Sequence, residues 1–148
     1  MEVKELGHVV LFVRDIERSR NFYCNLLGWK EVPGTRSGSA MFSAGRTHHE
    51  LLLIEVGGTA QPIPDGRRLG MYHIGLKIGE SDDDLRAAMA EIQDAGITIV
   101  GTSDHTVTHS LYILDPDGNE IELYIDVQPE VWRLVPETVT TPTKPLVL

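Results

Sequence analysis

Two strand-like runs, LGHVVLFV (residues 6–13) and MYHIGLKI (71–78), each carry a histidine in third place, His8 and His73. A third run, NEIELYID (119–126), alternates, so Glu120, Glu122 and Tyr124 share one face while Ile121, Leu123 and Ile125 share the other. A carboxylate turned inward on a strand is costly unless it is paired or binds a metal. Two histidines and one glutamate make the facial set of non-haem Fe(II), with positions left open; the same set also holds Mn, Co, Ni or Zn. A further pair, His48 and His49 in THHELLLIEVGG (47–58), heads another apolar run. Successive strand residues face opposite ways, so only one of the two can share the inner face. An imidazole with the ordinary pKa of about 6.5 is suited to moving protons near neutral pH.

The scaffold for these residues is written twice. Each histidine-bearing run is followed by an amphipathic helical segment, DIERSRNFYCNLLG (15–28) and DDDLRAAMAEIQDAG (82–96). Asp15 and Asp82 are placed to cap them, and Gly28 and Gly96 to stop them in a left-handed conformation. Short β-rich runs follow, WKEV and ITIV, then two hairpin-like stretches, SAMFSAGRTHHELLLIEV (39–56) and HSLYILDPDGNEIELYID (109–126). Asp-Pro-Asp-Gly-Asn in the second is strong turn chemistry. The expected architecture is α+β, one domain of two tandem β-α-β-β-β modules. Module one spans about 4–56, a Gly/Pro-containing linker 57–70, and module two about 71–126. A tail over 127–148 is expected to run extended. Two such curved sheets would form a half-open, barrel-like surface around a metal site, with His8 and His73 near the middle of equivalent strands.

Thirteen basic against 22 acidic residues give a charge of −9, which argues against a nucleic-acid groove or an anionic membrane as partner. The apolar runs are too short for a signal peptide or a membrane span. The single cysteine, Cys24, cannot form an internal disulfide, and in a helix it reads as a packed thiol. The expectation is a cytoplasmic protein. Exposed edge strands and the long tail point to a homo-oligomer.

The paired modules, over residues 5–126, resemble the vicinal oxygen chelate superfamily, which includes glyoxalases, bleomycin-resistance proteins and extradiol dioxygenases. The resemblance implies metal ligands on the first strand of each module and the last strand of the second: His8, His73 and Glu122. Glu120, nearer the turn, is then solvated. Aligning the hairpins sets Leu51 opposite Glu122, where glyoxalase I carries a fourth, glutamate ligand; its absence argues against that activity. THHELLL resembles the His-His pair of type I extradiol (catechol 2,3-dioxygenase-like) enzymes, whose second member is an acid/base. Here that is His49, on the face of Leu51, with His48 turned away unless a bulge swaps them. The stretch SDHTVTHSLYILDPDGNEIEL resembles the extradiol signature through His105, Leu111-Tyr112, Asp115-Pro116, Gly118 and Glu122. Ser103 departs from it, and the stretch from His105 to Tyr112 is compact; His109 reads as a loop residue. The implied function is ring cleavage of a catecholic substrate with O2 on Fe(II), with His49, Tyr112 and His105 catalytic. The same triad would also serve an epimerase or a thiol transferase. The remaining alternative is a non-enzymatic small-molecule-binding module.

Overall fold

The β-α-β-β-β order expected of each half is the order found. The computed structural model describes residues 1–148 and divides into two units, Met1–Pro64 and Asp65–Leu148. The first contains β1 (Val9–Val13), α1 (Ile16–Arg20, continued by π-helical turns over Asn21–Leu26), β2 (Lys30–Glu31), β3 (Ser39–Ser43) and β4 (Leu51–Glu55). The second contains β5 (His73–Gly79), α2 (Asp82–Asp94), β6 (Ile99–Asp104), β7 (Thr108–Leu114) and β8 (Glu120–Asp126). Its chain then adds α3 (Val131–Leu134) and a 3-10 turn over Pro136–Thr140. The sheet orders, β1-β4-β3-β2 and β5-β8-β7-β6, are the same topology. In each, the first and last strands pair in parallel and the rest antiparallel. Each sheet is open, with two edge strands.

Alternation divides each sheet into a buried and an open face. In the first unit Leu11, Val13, Leu51, Leu53, Ala40 and Phe42 are buried together with Ile16, Phe22 and Tyr23 of the helical segment. In the second, Leu111, Ile113, Ile121, Leu123 and Ile125 are buried with Leu85 and Ile92 of α2. Burying a side chain of this size contributes roughly 1.5–3 kcal/mol, so the face opposite the helix is free to carry polar residues.

The helix boundaries follow from local chemistry. The Asp15 side chain accepts from the Arg18 N–H and caps α1, as expected. For α2 the cap is Ser81 rather than Asp82. Ser81 is extended and accepts from the Asp84 N–H, while the Asp84 carboxylate accepts from the Ser81 N–H. Asp82 becomes the first helical residue. Gly28 and Gly96 do take positive φ, 66° and 71°.

Three further expectations are corrected. His8 lies just before β1 and His73 opens β5, so neither is mid-strand; pairing in the first sheet begins where the Val9 N–H donates to the Glu50 carbonyl at 2.9 Å. The tail is not extended throughout: it turns into α3 and the 3-10 segment, then pairs Lys144 with Asp104 through two backbone hydrogen bonds of 2.8 and 3.0 Å. Lastly, Val9 pairs with Leu51 where Ile74 pairs with Ile121, so Leu52, not Leu51, is the counterpart of Glu122. Leu51 faces the buried side. No helix is long and apolar enough to cross a membrane.

Candidate functional site

The open face of the second sheet carries the chemistry. Register places His73 beside Glu120, Gly75 beside Glu122 and Lys77 beside Tyr124. The next strand brings Tyr112 beside Glu122 and Ser110 beside Tyr124. Glu122 is the hub. Its Oε2 stands 3.1 Å from His73 Nε2. Its Oε1 accepts from the Ser110 hydroxyl at 2.6 Å and the Tyr112 hydroxyl at 3.1 Å. His105 Nε2 lies 2.9 Å from the Tyr112 hydroxyl and 3.8 Å from Glu122 Oε1. The rings of His73 and Tyr112 meet edge to face, with centroids 5.7 Å apart. Burial, then the charge of Glu122, push the Tyr112 phenol above its usual pKa. It therefore stays protonated at neutral pH, a hydrogen-bond donor.

Two glycines clear this surface. A Cβ on Gly75 would sit 3.4 Å from Glu122 Oε2 and 3.6 Å from the Tyr124 ring. One on Gly101, paired with Tyr112, would sit 3.4 Å from the Tyr112 ring. Glu120, expected to be solvated, is half-buried. Its side chain is 21% exposed, and Oε1 lies 3.5 Å from His73 Nδ1, a buried atom with no hydrogen-bond partner. His105 joins the cluster from the turn after β6, and His109 does not. His109 lies on the helix-facing side, its Nδ1 2.6 Å from Asp82 Oδ1.

The first unit gathers its own three histidines. The rings of His8 and His49 are 4.5 Å apart, and those of His48 and His49 4.4 Å. The strand expected at His48 and His49 is absent, because β4 begins only at Leu51. The Glu50 carboxylate accepts the N–H groups of Ala44, Arg46 and Thr47 at 2.9–3.1 Å and curls the chain into a loop. Burial alone would raise the Glu50 pKa, but those donors, the Ser43 hydroxyl and Arg46 hold it below the ordinary value. Arg46 in turn donates to the carbonyls of Leu6 and Gly7, both at 3.1 Å, tying the segment before His8 to the loop. Strand parity thus does not separate the two histidines. His48 is nevertheless exposed and His49 half-buried. Burial and the neighbouring His48 and His8 hold the His49 pKa below 6.5, so its ring is neutral at pH 7.

No group of three His, Cys, Asp or Glu side chains stands ready-made to hold a metal ion. The pair His73 and Glu122 nonetheless fits one. Cis ligands at about 2.1 Å from a shared ion lie about 3.0 Å apart, against 3.1 Å between Nε2 and Oε2 here. An imidazole, and a carboxylate held from behind by Ser110 and Tyr112, are donors suited to a divalent transition metal. Sequence reasoning missed Ser110, Gly75, Gly101, Arg46 and Glu50 as parts of these clusters. Ser110 was within reach, since two residues before Tyr112 on a strand means the same face.

A family model described as the Glyoxalase/Bleomycin resistance protein/Dioxygenase superfamily matches residues 5–123. Catechol-2,3-dioxygenase of Bacillus subtilis (strain 168) is 33% identical over 132 residues, which are 89% of this chain and 45% of that protein. The chain thus spans less than half the length of that relative. A probable lactoylglutathione lyase of Synechocystis sp. is 29% identical over 126 residues, 80% of this chain and 92% of the relative. A glyoxalase/dioxygenase from Nostoc punctiforme superposes with a TM-score of 0.69 at 23% identity, over 84% of this chain and 92% of that one, and shares the fold. With the β-α-β-β-β unit repeated in one topology and the match running through both repeats, the chain belongs to the glyoxalase, bleomycin resistance protein and dioxygenase superfamily.

Proposed function

We propose that this chain is a metal-dependent, extradiol-type dioxygenase that cleaves a catecholic ring with O2, with Fe(II) held through His73 and Glu122. The observation that carries the reading is the set on the open face of the second sheet: the His73–Glu122 pair, with Tyr112 on Glu122 and His105 on Tyr112. A ring-cleaving enzyme needs such a set, a ligand pair with proton donors aimed beside it. The 33% identity to a catechol-2,3-dioxygenase supports the same reading. Mn, Co, Ni or Zn would suit the same donors.

When bound, Fe(II) would supply Lewis acidity toward two vicinal phenolic oxygens and hold both reactants in one coordination sphere. His49, neutral at pH 7, is assigned to take a phenolic proton and return it as the ring opens. The Tyr112 hydroxyl and His105 Nε2 are assigned to hydrogen-bond the substrate oxygen, steadying the charge that develops there. Ser110 orients Glu122 from behind.

An epimerase or thiol transferase using the same ligands is the second reading, favoured by the lyase relative of nearly matching length. Leucine at position 52, the counterpart of Glu122, weighs against a glyoxalase site with four ligands. Anaerobic reconstitution with Fe(II), then O2 and a panel of catechols, separates the readings. A yellow ring-opened product from at least one catechol is the expected result. If the iron-loaded protein cleaves none of them, the dioxygenase reading falls and the second takes its place.

A further inference from the structure

We infer that Ser110 is a positioning residue that fixes which way the Glu122 carboxylate faces, an inference that rests on the metal reading of Glu122. Ser110 is fully buried and its Oγ donates to Glu122 Oε1 at 2.6 Å, the shortest contact the carboxylate makes. A carboxylate at neutral pH only accepts, so the direction of this bond is fixed. The Tyr112 hydroxyl adds a second donor to the same oxygen at 3.1 Å. Both protein donors are thus spent on Oε1, and Oε2 is left facing His73 Nε2.

The two donors differ in what else they can do. Tyr112 is partly exposed and within reach of His105, so it is available to a substrate. Ser110 has no exposed surface and cannot touch a bound ring. It acts only through Glu122. The terminal torsion of a glutamate is broad and nearly two-fold, so an unheld carboxylate turns freely between presenting one oxygen or both. Ser110 removes that freedom. Hydrogen bonds behind a ligand typically change metal affinity about 10–100-fold when lost.

Ser103 supplies the control. It stands cross-strand from Ser110 and makes no bond to Glu122 Oε1, the oxygen that Ser110 and Tyr112 hold. The probe is Mn(II), titrated into metal-free protein and followed by the electron paramagnetic resonance signal of the free ion. Wild type should bind one ion per chain and Glu122→Gln should lose it. Ser110→Ala should bind about 10–100-fold more weakly while still melting cooperatively as the metal-free protein, and Ser103→Ala should stay within twofold of wild type. Ser110→Ala binding as tightly as wild type, or Ser103→Ala weakening equally, overturns the role of Ser110 and leaves the metal reading standing. Absence of saturable binding in wild type, or binding indifferent to Glu122→Gln, overturns the metal reading and the inference with it.

Discussion

Replacing Thr106 by glycine should stabilise this protein. Thr106 is the only non-glycine residue with positive φ, at 75°, and it sits in the turn between β6 and β7 directly after His105. A left-handed backbone costs an ordinary residue about 1–2 kcal/mol, and a β-branched side chain fits it badly. Its Oγ1 is also buried without a hydrogen-bond partner, which costs a further ~1–3 kcal/mol. The conformation is imposed by neighbours: the Thr106 N–H donates to Asp104 Oδ1 at 2.6 Å, and the His105 N–H to the Thr108 carbonyl at 2.9 Å. Glycine would remove both costs and add about 0.5–1 kcal/mol of unfolded-state freedom. The net expectation is a gain of about 1–4.5 kcal/mol, or very roughly 3–13 °C in melting temperature for a chain of this size. Thr106→Ala, which removes the orphan hydroxyl but keeps the backbone strain, should gain less. Calorimetry and urea denaturation by circular dichroism measure both. If Thr106→Gly melts at or below wild type, or if alanine matches glycine, the strain argument is wrong.

His73→Ala and Glu122→Ala should each abolish stoichiometric metal by elemental analysis. Glu120→Ala should keep it, since that carboxylate stands behind His73; loss with Glu120→Ala but not Glu122→Ala would move the site by two residues. In an active preparation, His49→Gln should lower turnover on a catechol by about 10²–10⁴-fold at unchanged iron content, and His48→Gln should change it little. The reverse pattern would transfer the proton role to His48. Ser81→Ala should cost about 1 kcal/mol in urea denaturation through loss of the α2 cap. Backbone N–H groups of Glu80 and Ser81 and the Ser81 hydroxyl hold the Asp84 carboxyl below its usual pKa. Its stabilising contribution is therefore present above the ordinary carboxylate range and fades as pH falls through the depressed value. Indifference of α2 amide protection in hydrogen exchange between pH 6 and acid would contradict that sign.

The repeat was legible because it rests on periodicity, and each module's strand order follows once the first and last strands are parallel. The face of Glu122 was legible for the same reason, since alternation fixes faces and a tight Asp-Pro-Asp-Gly turn fixes register, whereas Tyr112 and His105 came from the resemblance to the extradiol signature. Side chains that reshape the backbone were not legible. Glu50 draws three N–H groups onto its carboxylate and abolishes the strand that parity reasoning assumed at His48 and His49. Ser81 took the cap from Asp82 because reciprocal bonding to Asp84 is available only one residue earlier. Counterpart positions slipped by one, from Leu52 to Leu51, where only hydrogen-bond register could decide between three successive leucines.

Gly75 carries a consequence for how this protein can be improved or eroded. Alanine is favoured over glycine in a strand interior by roughly 0.5–1 kcal/mol, and the added methyl would only reach ordinary contact distance, 3.4 Å from Glu122 Oε2. A laboratory selection that rewards heat resistance alone would therefore accept alanine here. The methyl would rest against the one carboxylate oxygen left without a donor from Ser110 or Tyr112, so the hardened variant would be the blunted one. Survival of glycine at this position would then record selection on what the protein does, where the fold by itself has no use for it.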